Sequence, residues 1–495
     1  MKQTLDEIVA LAAQADGPTL TRADGMPKIG GVDPLGLRQL NFDLMDAVLP
    51  GLNNVSRRIR PYVVVAWAAR QARRLAEDSG VALISGPELK DFVDRIEVIY
   101  AWSQFLRKSD APLPGSQVLR QFVNAERYVF GGADWEGFRE NRKASTAFTA
   151  AITYGPSIKA LKWAGPVPGG QTAWAPGDLF DEALDAFEGA LGDALNHPAF
   201  SSLGSVEVAR ADVERWGELW DLNLVTDPER AAFSDSLVGP LADERRRDTL
   251  MLVRDVLDGM EKRDLDGLRA AMAEVSGNAD PTRVRWRRLQ VRQAFRFALE
   301  SWFYWCLAEL DPTPRSTAAL VDAFRENAVG WAAGERIGAW LEPSKDTCPI
   351  KLMAEISTAM EDDWDAVPEA ICRTLAFCLT EEDPDGGRGG RADRLPLQRA
   401  RAEAVAWANT APAEFLTHMM ETWLFAQHAY WSSSRGLADA RANGKVILRL
   451  RVTLDEGGWR LTRLGGIGGP PYPTQDRLET ALRLAEECGF ISPVR

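Results

Sequence analysis

The sequence predicts a mainly α-helical, multidomain protein, and three observations carry that reading. Apolar residues recur three and four positions apart through seven long stretches, the spacing of one helix face. Segments with the strict alternation of a half-buried strand are few. The chain has 495 residues, more than one core organises at about 100–200 residues per domain. With 45% hydrophobic and 26% charged residues it is too apolar and too evenly mixed to be disordered or collagen-like.

Taken in order, a helix over residues 38–48 is broken by Pro50-Gly51, and Asn53, Asn54 and Ser56 offer caps to the next. Helical periods follow at 116–130 and 178–195. Between them lies the order helix (145–163), Gly- and Pro-rich hairpin-like loop (165–174), helix from Asp178. Further helical stretches cover 243–260, 281–310, 316–333, 398–409 and 412–435. The clearest start is Asp280-Pro281, an N-cap followed by proline at the first helical position. The helix it opens runs for about 45 Å at 1.5 Å per residue.

The best strand is 446–452, answered after the turn 455–458 by 459–464; a helix then runs from Thr474 to Gly489. Twice, therefore, the order helix, hairpin, helix appears, which suits a winged-helix module making protein or DNA contacts. Linkers fall at 165–177, 383–394 and 465–473, and no solenoid period is present. The expected domains are 1–110, helical with a Pro-Gly/Arg motif; 111–200, winged-helix-like; 201–382, helical around the long helix; and 395–495, helices plus the β-hairpin.

The net charge of −13 and pI near 5.0 argue against a protein that coats nucleic acid or anionic membrane everywhere. Residues 1–150 carry 19 basic against 18 acidic side chains, so the acidity belongs to the later domains. Five scattered cysteines without a CxxC point to reduced, buried thiols. An acidic start, Met1-Lys2-Gln3-Thr4-Leu5-Asp6-Glu7, and no apolar run near 18 residues place the expectation in the cytoplasm, away from membranes. The seventeen tryptophans sit mostly at helical spacing beside other apolar residues, as core packing requires.

Two arginine groups are the candidate binding residues. Arg57, Arg58 and Arg60 follow the Pro50-Gly51 break and would project from the first turn of a helix, where cations oppose the dipole. They therefore need a carboxylate or phosphate partner: Asp33, Asp43 or Asp46 for internal pairing, or else nucleic acid or another subunit. Arg285, Arg288, Arg292 and Arg296 lie within about 80° on the long helix, beside an apolar face of Val284, Val291, Phe295 and Trp302. Such a stripe follows a phosphate backbone without sequence preference, or pairs internally with acids such as Glu300.

No catalytic residue, metal ligand or cofactor site is assigned. His418 and His428 are about 15 Å apart along one helix and cannot share an ion. Glu414, His418 and Glu421 share a face, for which an interhelical histidine is the simpler reading. Asp78 with Glu88-Leu89-Lys90 approaches the acid plus E-x-K pattern of metal-dependent nucleases, but Pro87 opens a helix there where that site needs a strand. No P-loop motif is present. Gly386-Gly387-Arg388-Gly389-Gly390-Arg391 reads as a flexible linker.

The residues Asp33-Pro34-Leu35-Gly36, Leu49-Pro50-Gly51, Arg57-Arg58-Ile59-Arg60-Pro61-Tyr62 and Trp67 form a spaced series. Tyr154-Gly155-Pro156, the segment Arg292 to Glu300, and Gly457-Gly458-Trp459-Arg460-Leu461 with Asp476-Arg477-Leu478 extend it. In these motifs the chain resembles a group of large bacterial proteins encoded in anti-phage defence and DNA-modification gene clusters. The resemblance implies a defence-system component; together with the missing catalytic motifs it gives the expectation of a noncatalytic scaffold or sensor subunit acting with an ATPase, helicase or nuclease from the same operon. A metal-dependent nuclease effector and a winged-helix DNA-binding regulator are the alternatives.

Overall fold

The computed structural model of the chain describes residues 33–79, 86–108, 113, 125–141, 148–149, 153–166, 174–275, 280–332, 336–342, 348–381, 394–443, 449–462 and 467–493. Helices take 67% and strands 6%, so the predicted mainly α class holds. Among the described residues the strands form three separate antiparallel pairs: Arg127–Phe130 with Val206–Ala209, Ala164–Pro166 with Trp174–Pro176, and Val452–Asp455 with Gly458–Leu461. No described helix is long and apolar enough to cross a membrane.

The chain divides into two compact units, each assembled from distant stretches of sequence. The first contains the described residues up to Leu44 together with Arg269–Thr474; the second contains Met45–Leu268 and Gln475–Arg495.

The first unit is built around the long helix Pro281–Glu309. Asp280 caps it as expected, accepting from the Thr282 N–H at 2.9 Å. Twenty of its residues are buried, Val291, Phe295 and Trp302 among them. A helix apolar on so much of its circumference belongs inside a core. Around it lie Pro349–Asp362, Val367–Thr380, Leu397–Ala406 and Pro412–Met419, which contribute Leu352, Ile371, Leu375, Leu397, Phe415 and Leu416 to one apolar cluster. The stretch expected as a single helix over 412–435 instead contains a π-helical turn at Met420–Ala426, after which Gln427–Asn443 resumes α-helix. This turn keeps Trp423, Leu424 and Phe425 all buried.

In the second unit, the antiparallel helices Arg60–Asp78 and Gly86–Leu106 pack with Asp181–Leu191 and Arg210–Leu219 around Trp67, Phe187, Phe200, Trp216 and Trp220. Trp67 meets Phe187 and Phe200 edge-on, and Trp163 stacks on Phe180. The helix Leu478–Glu487 completes this unit with Leu478, Ala481, Leu482, Leu484 and Ala485 buried.

Several local expectations are corrected. Residues 127–130, read as the end of a helix, form a strand, because Tyr128, Val129 and Phe130 suit the extended pairing with Val206–Ala209; positions 116–124 lie outside the described residues. The C-terminal hairpin is displaced toward the C-terminus: its first strand is Val452–Asp455, residues 449–451 are not strand, and the turn narrows to Glu456-Gly457. Gly458, at φ +109°, allows that turn, and Trp459 is held by a two-way backbone bridge to Arg315. The helix, hairpin, helix order is present at Gly155–Ala160, the strand pair 164–166 and 174–176, and Asp181–Leu191. Positions 167–173, 446–448 and the Gly386–Arg391 linker lie outside the described residues.

Candidate functional site

The resembling motifs fall into two groupings, one in each unit. In the second unit, which begins within the last turn of the helix Arg38–Val48, the Leu49 N–H bonds back to the Met45 carbonyl, and Gly51 turns the chain at φ +78°. A Cβ at Gly51 would collide with Ala160, so glycine is required there twice over. Arg246, buried, fixes this turn: its guanidinium donates to the carbonyls of Pro50, Ser236 and Leu237 at 2.7, 2.8 and 3.0 Å. Asn53 accepts from the N–H groups of Val55 and Ser56 and donates to the Thr153 carbonyl. It thus shapes a loop; the next helix begins later, at Arg60, with no side-chain cap.

Only Arg60 of the three arginines is therefore helical, whereas Arg57 and Arg58 lie in the preceding loop. Each has a carboxylate partner. Arg57 pairs with Glu479 at 3.0 Å, Arg58 with Glu487 at 3.3 Å and Arg60 with Glu229 at 2.7 Å. The partners expected in the sequence, Asp33, Asp43 and Asp46, are occupied elsewhere. Asp33 receives the N–H groups of Leu37 and Arg38, Asp43 pairs with Arg394, and Asp46 pairs with Arg477.

Arg60 and Glu229 are both fully buried, with the Arg60 guanidinium 5.2 Å from the Phe187 ring centroid. Burial pushes the Glu229 carboxyl above its ordinary pKa, against the pull of Arg60 and the Thr226 N–H. Glu229 also closes a capping box with Thr226. Glu487, likewise raised by burial, accepts the Ile59 N–H at 3.0 Å. Tyr62, the last residue of the motif, shares a 2.7 Å hydrogen bond with Ser157, and burial pushes its phenol up to about 12.

In the first unit, Asp33-Pro34-Leu35-Gly36 is gripped by one helix. Trp431 donates to the Asp33 carbonyl at 3.0 Å, His428 Nδ1 to that of Pro34 at 2.8 Å and Gln427 to that of Leu35 at 2.8 Å. The other ring nitrogen, Nε2, accepts the Arg451 N–H at 2.9 Å, so His428 is a neutral tautomer, and burial lowers its pKa to about 4. Gly36, at φ +73°, lies against the Trp431 ring with no room for a Cβ.

The long-helix arginines divide in two. Arg285 and Arg288 are half-buried, and Arg285 donates to Thr282 Oγ1. Arg292 and Arg296 are wholly buried: Arg292 donates to the carbonyls of Leu395 and Arg394, while Arg296 pairs with Glu300 at 2.6 Å and donates to the Tyr472 carbonyl. Glu300 also meets Arg38 at 3.3 Å. The expected solvent-facing stripe of four is thus corrected, since its C-terminal half points into the core.

The weaker expectations resolve locally. His418 contacts Glu403 on a neighbouring helix at 3.2 Å and stacks on Trp407. Lys90 is bound by Asp94 one helical turn on, and Asp78 and Glu88 are exposed on helices. Among the described residues no group of three His, Cys, Asp or Glu is arranged to hold a metal ion. Cys306, Cys372, Cys378 and Cys488 are buried free thiols. No protein-family model, curated protein or solved structure matches the chain.

Proposed function

We propose that this chain is a noncatalytic scaffold or sensor subunit of a multi-gene bacterial defence system against phage or foreign DNA, working in the cytoplasm beside a separate ATPase, helicase or nuclease. The observation that supports this reading is how the motif residues are used. Gly36, Gly51, Arg57, Arg58, Arg60, Tyr62 and Arg296 all close the fold, through carboxylates, carbonyls or tight backbone approaches. Motif residues spent on closing the fold serve architecture, and the scaffold reading asks no more of them. The strand pair Ala164–Pro166 and Trp174–Pro176, followed by the helix Asp181–Leu191, is the element we assign to partner or DNA contact in the manner of a winged helix; the C-terminal hairpin and the helix Leu478–Glu487 belong to different units and are not assigned together.

Affinity purification from cells carrying the native operon, read by mass spectrometry, tests the proposal. Stoichiometric recovery of an operon-encoded ATPase, helicase or nuclease is expected. Purified chain that cleaves DNA or RNA with Mg²⁺ or Mn²⁺, and loses that activity on Glu88→Ala or Lys90→Ala, overturns it in favour of a nuclease effector.

A further inference from the structure

A cavity of about 20 Å³ lies beside the gripped N-terminal loop of the first unit, bounded by Asp33, His428, Ser432 and three arginines, Arg435, Arg449 and Arg451. That volume admits one water-sized group. Most of the polar atoms around it are already committed. Both His428 nitrogens are bonded, Ser432 donates to the Arg449 carbonyl, and each Asp33 carboxylate oxygen receives a backbone N–H. Arg449 has a further interaction of its own. Arg451 spends Nη1 on the Ile467 carbonyl, and the guanidinium of exposed Arg435 rests 5.7 Å from the Trp431 ring centroid.

Among the described residues, the buried cations Arg38 and Arg296 are opposed by Glu300 and Asp33, and the half-buried Arg451 by Glu300. Burial holds Arg296 and Arg451 below the ordinary guanidinium pKa, with Glu300 opposing it. Burial first, then Glu300, pushes the Asp33 carboxyl upward, so it opposes an incoming anion less than an exposed carboxylate would.

We propose that this cavity is an anion site that receives one oxygen of a phosphoryl group, held by the forked donors of Arg435 and Arg451. The phosphoryl group comes either from free phosphate or from the end of a small phosphorylated ligand, because the enclosed space takes no more than the oxygen and Arg435 already covers a face of Trp431. This site stands independently of the scaffold reading.

Thermal melting and calorimetric titration of the full chain test it, with potassium phosphate against potassium chloride at matched ionic strength and with adenosine monophosphate as a third arm. A saturable rise of the melting midpoint with phosphate, absent with chloride, is expected. Arg435→Gln should weaken phosphate binding roughly 10-fold and Arg435→Glu should abolish it, both with unchanged circular dichroism since Arg435 is exposed. Tighter binding of the nucleotide identifies a phosphorylated ligand as the source, and equal or weaker binding identifies free phosphate. Phosphate acting no differently from chloride, or both Arg435 variants binding as wild type, overturns the proposal.

Discussion

Replacing Arg60 by alanine is the most discriminating perturbation of the second unit. Arg60 and Glu229 are 2.7 Å apart with neither side chain exposed. Removing the guanidinium leaves a carboxylate in the core that accepts the Thr226 N–H at 2.5 Å but has lost its buried cation. Breaking a buried pair from one side costs about 3–5 kcal/mol. For a unit of this size each kcal/mol shifts the midpoint by about 2–4 °C, so Arg60→Ala should lower it by roughly 6–20 °C. Arg57→Ala is the control: Arg57 and Glu479 are 29% and 35% exposed, and such a pair contributes about 0–1 kcal/mol.

The pH dependence has a definite sign. Glu229 already has a raised pKa in the folded state, so ionising it favours unfolding; its contribution is fully present below the ordinary value of 4.5 and is lost as pH climbs through the folded value. Without Arg60 the folded value climbs further. The Arg60→Ala deficit should therefore be smaller below pH 4.5 than at pH 7, and Arg60→Met with Glu229→Leu should recover much of it. Scanning calorimetry at both pH values decides the matter. A deficit no larger than that of Arg57→Ala, or one that grows on acidification, would refute the argument.

Other consequences are equally direct. Gly36→Ala should cost about 1–3 kcal/mol in chemical denaturation, because a Cβ would overlap Trp431 and the backbone is left-handed. Acidification from the ordinary histidine value of 6.5 toward 4 should cost the fold about 3 kcal/mol through His428, whose lowered pKa stabilises at higher pH and is lost as pH falls; His428→Gln should flatten that segment of a stability–pH curve. Arg292→Glu or Arg296→Glu should unfold the first unit by circular dichroism, whereas Arg288→Glu should leave the helical signal intact, since only the first two are fully buried. Equal behaviour of Arg288 and Arg292 variants would contradict the placement of that helix.

Where local chemistry decides, the sequence was informative. Asp280-Pro281 announced the start of the long helix, and Pro50-Gly51 the end of the one at Arg38–Val48. The need of Arg57, Arg58 and Arg60 for carboxylates was also visible, but their mates were not, because Glu229 is 169 positions from Arg60 and Glu479 is 422 from Arg57. One signal was available: Thr226-Asp227-Pro228-Glu229 spells a capping box, which marks Glu229 as a residue with a fixed position. The inward turn of Arg292 and Arg296 was hidden by reading one apolar face on a helix that is apolar nearly all round; Leu289, Phe297, Leu299 and Phe303, off that face, were the clue. The π-helical turn leaves no trace in a period of 3.6, and the hairpin slipped because 446–452 alternates as well as 452–455 does.

The interrupted build of the units bears on how the protein is made. The helix Leu478–Glu487 completes a unit whose other residues end at Leu268, and the ion pairs of Arg57 and Arg58 are made with that helix. During synthesis, which runs at about 5–20 residues per second, the second unit waits through more than two hundred further residues before its last wall exists. For that interval the surface that receives Leu482 and Leu484 stands uncovered, a window of roughly ten to forty seconds in which a chaperone, or an assembly partner translated alongside, has access that the finished molecule denies.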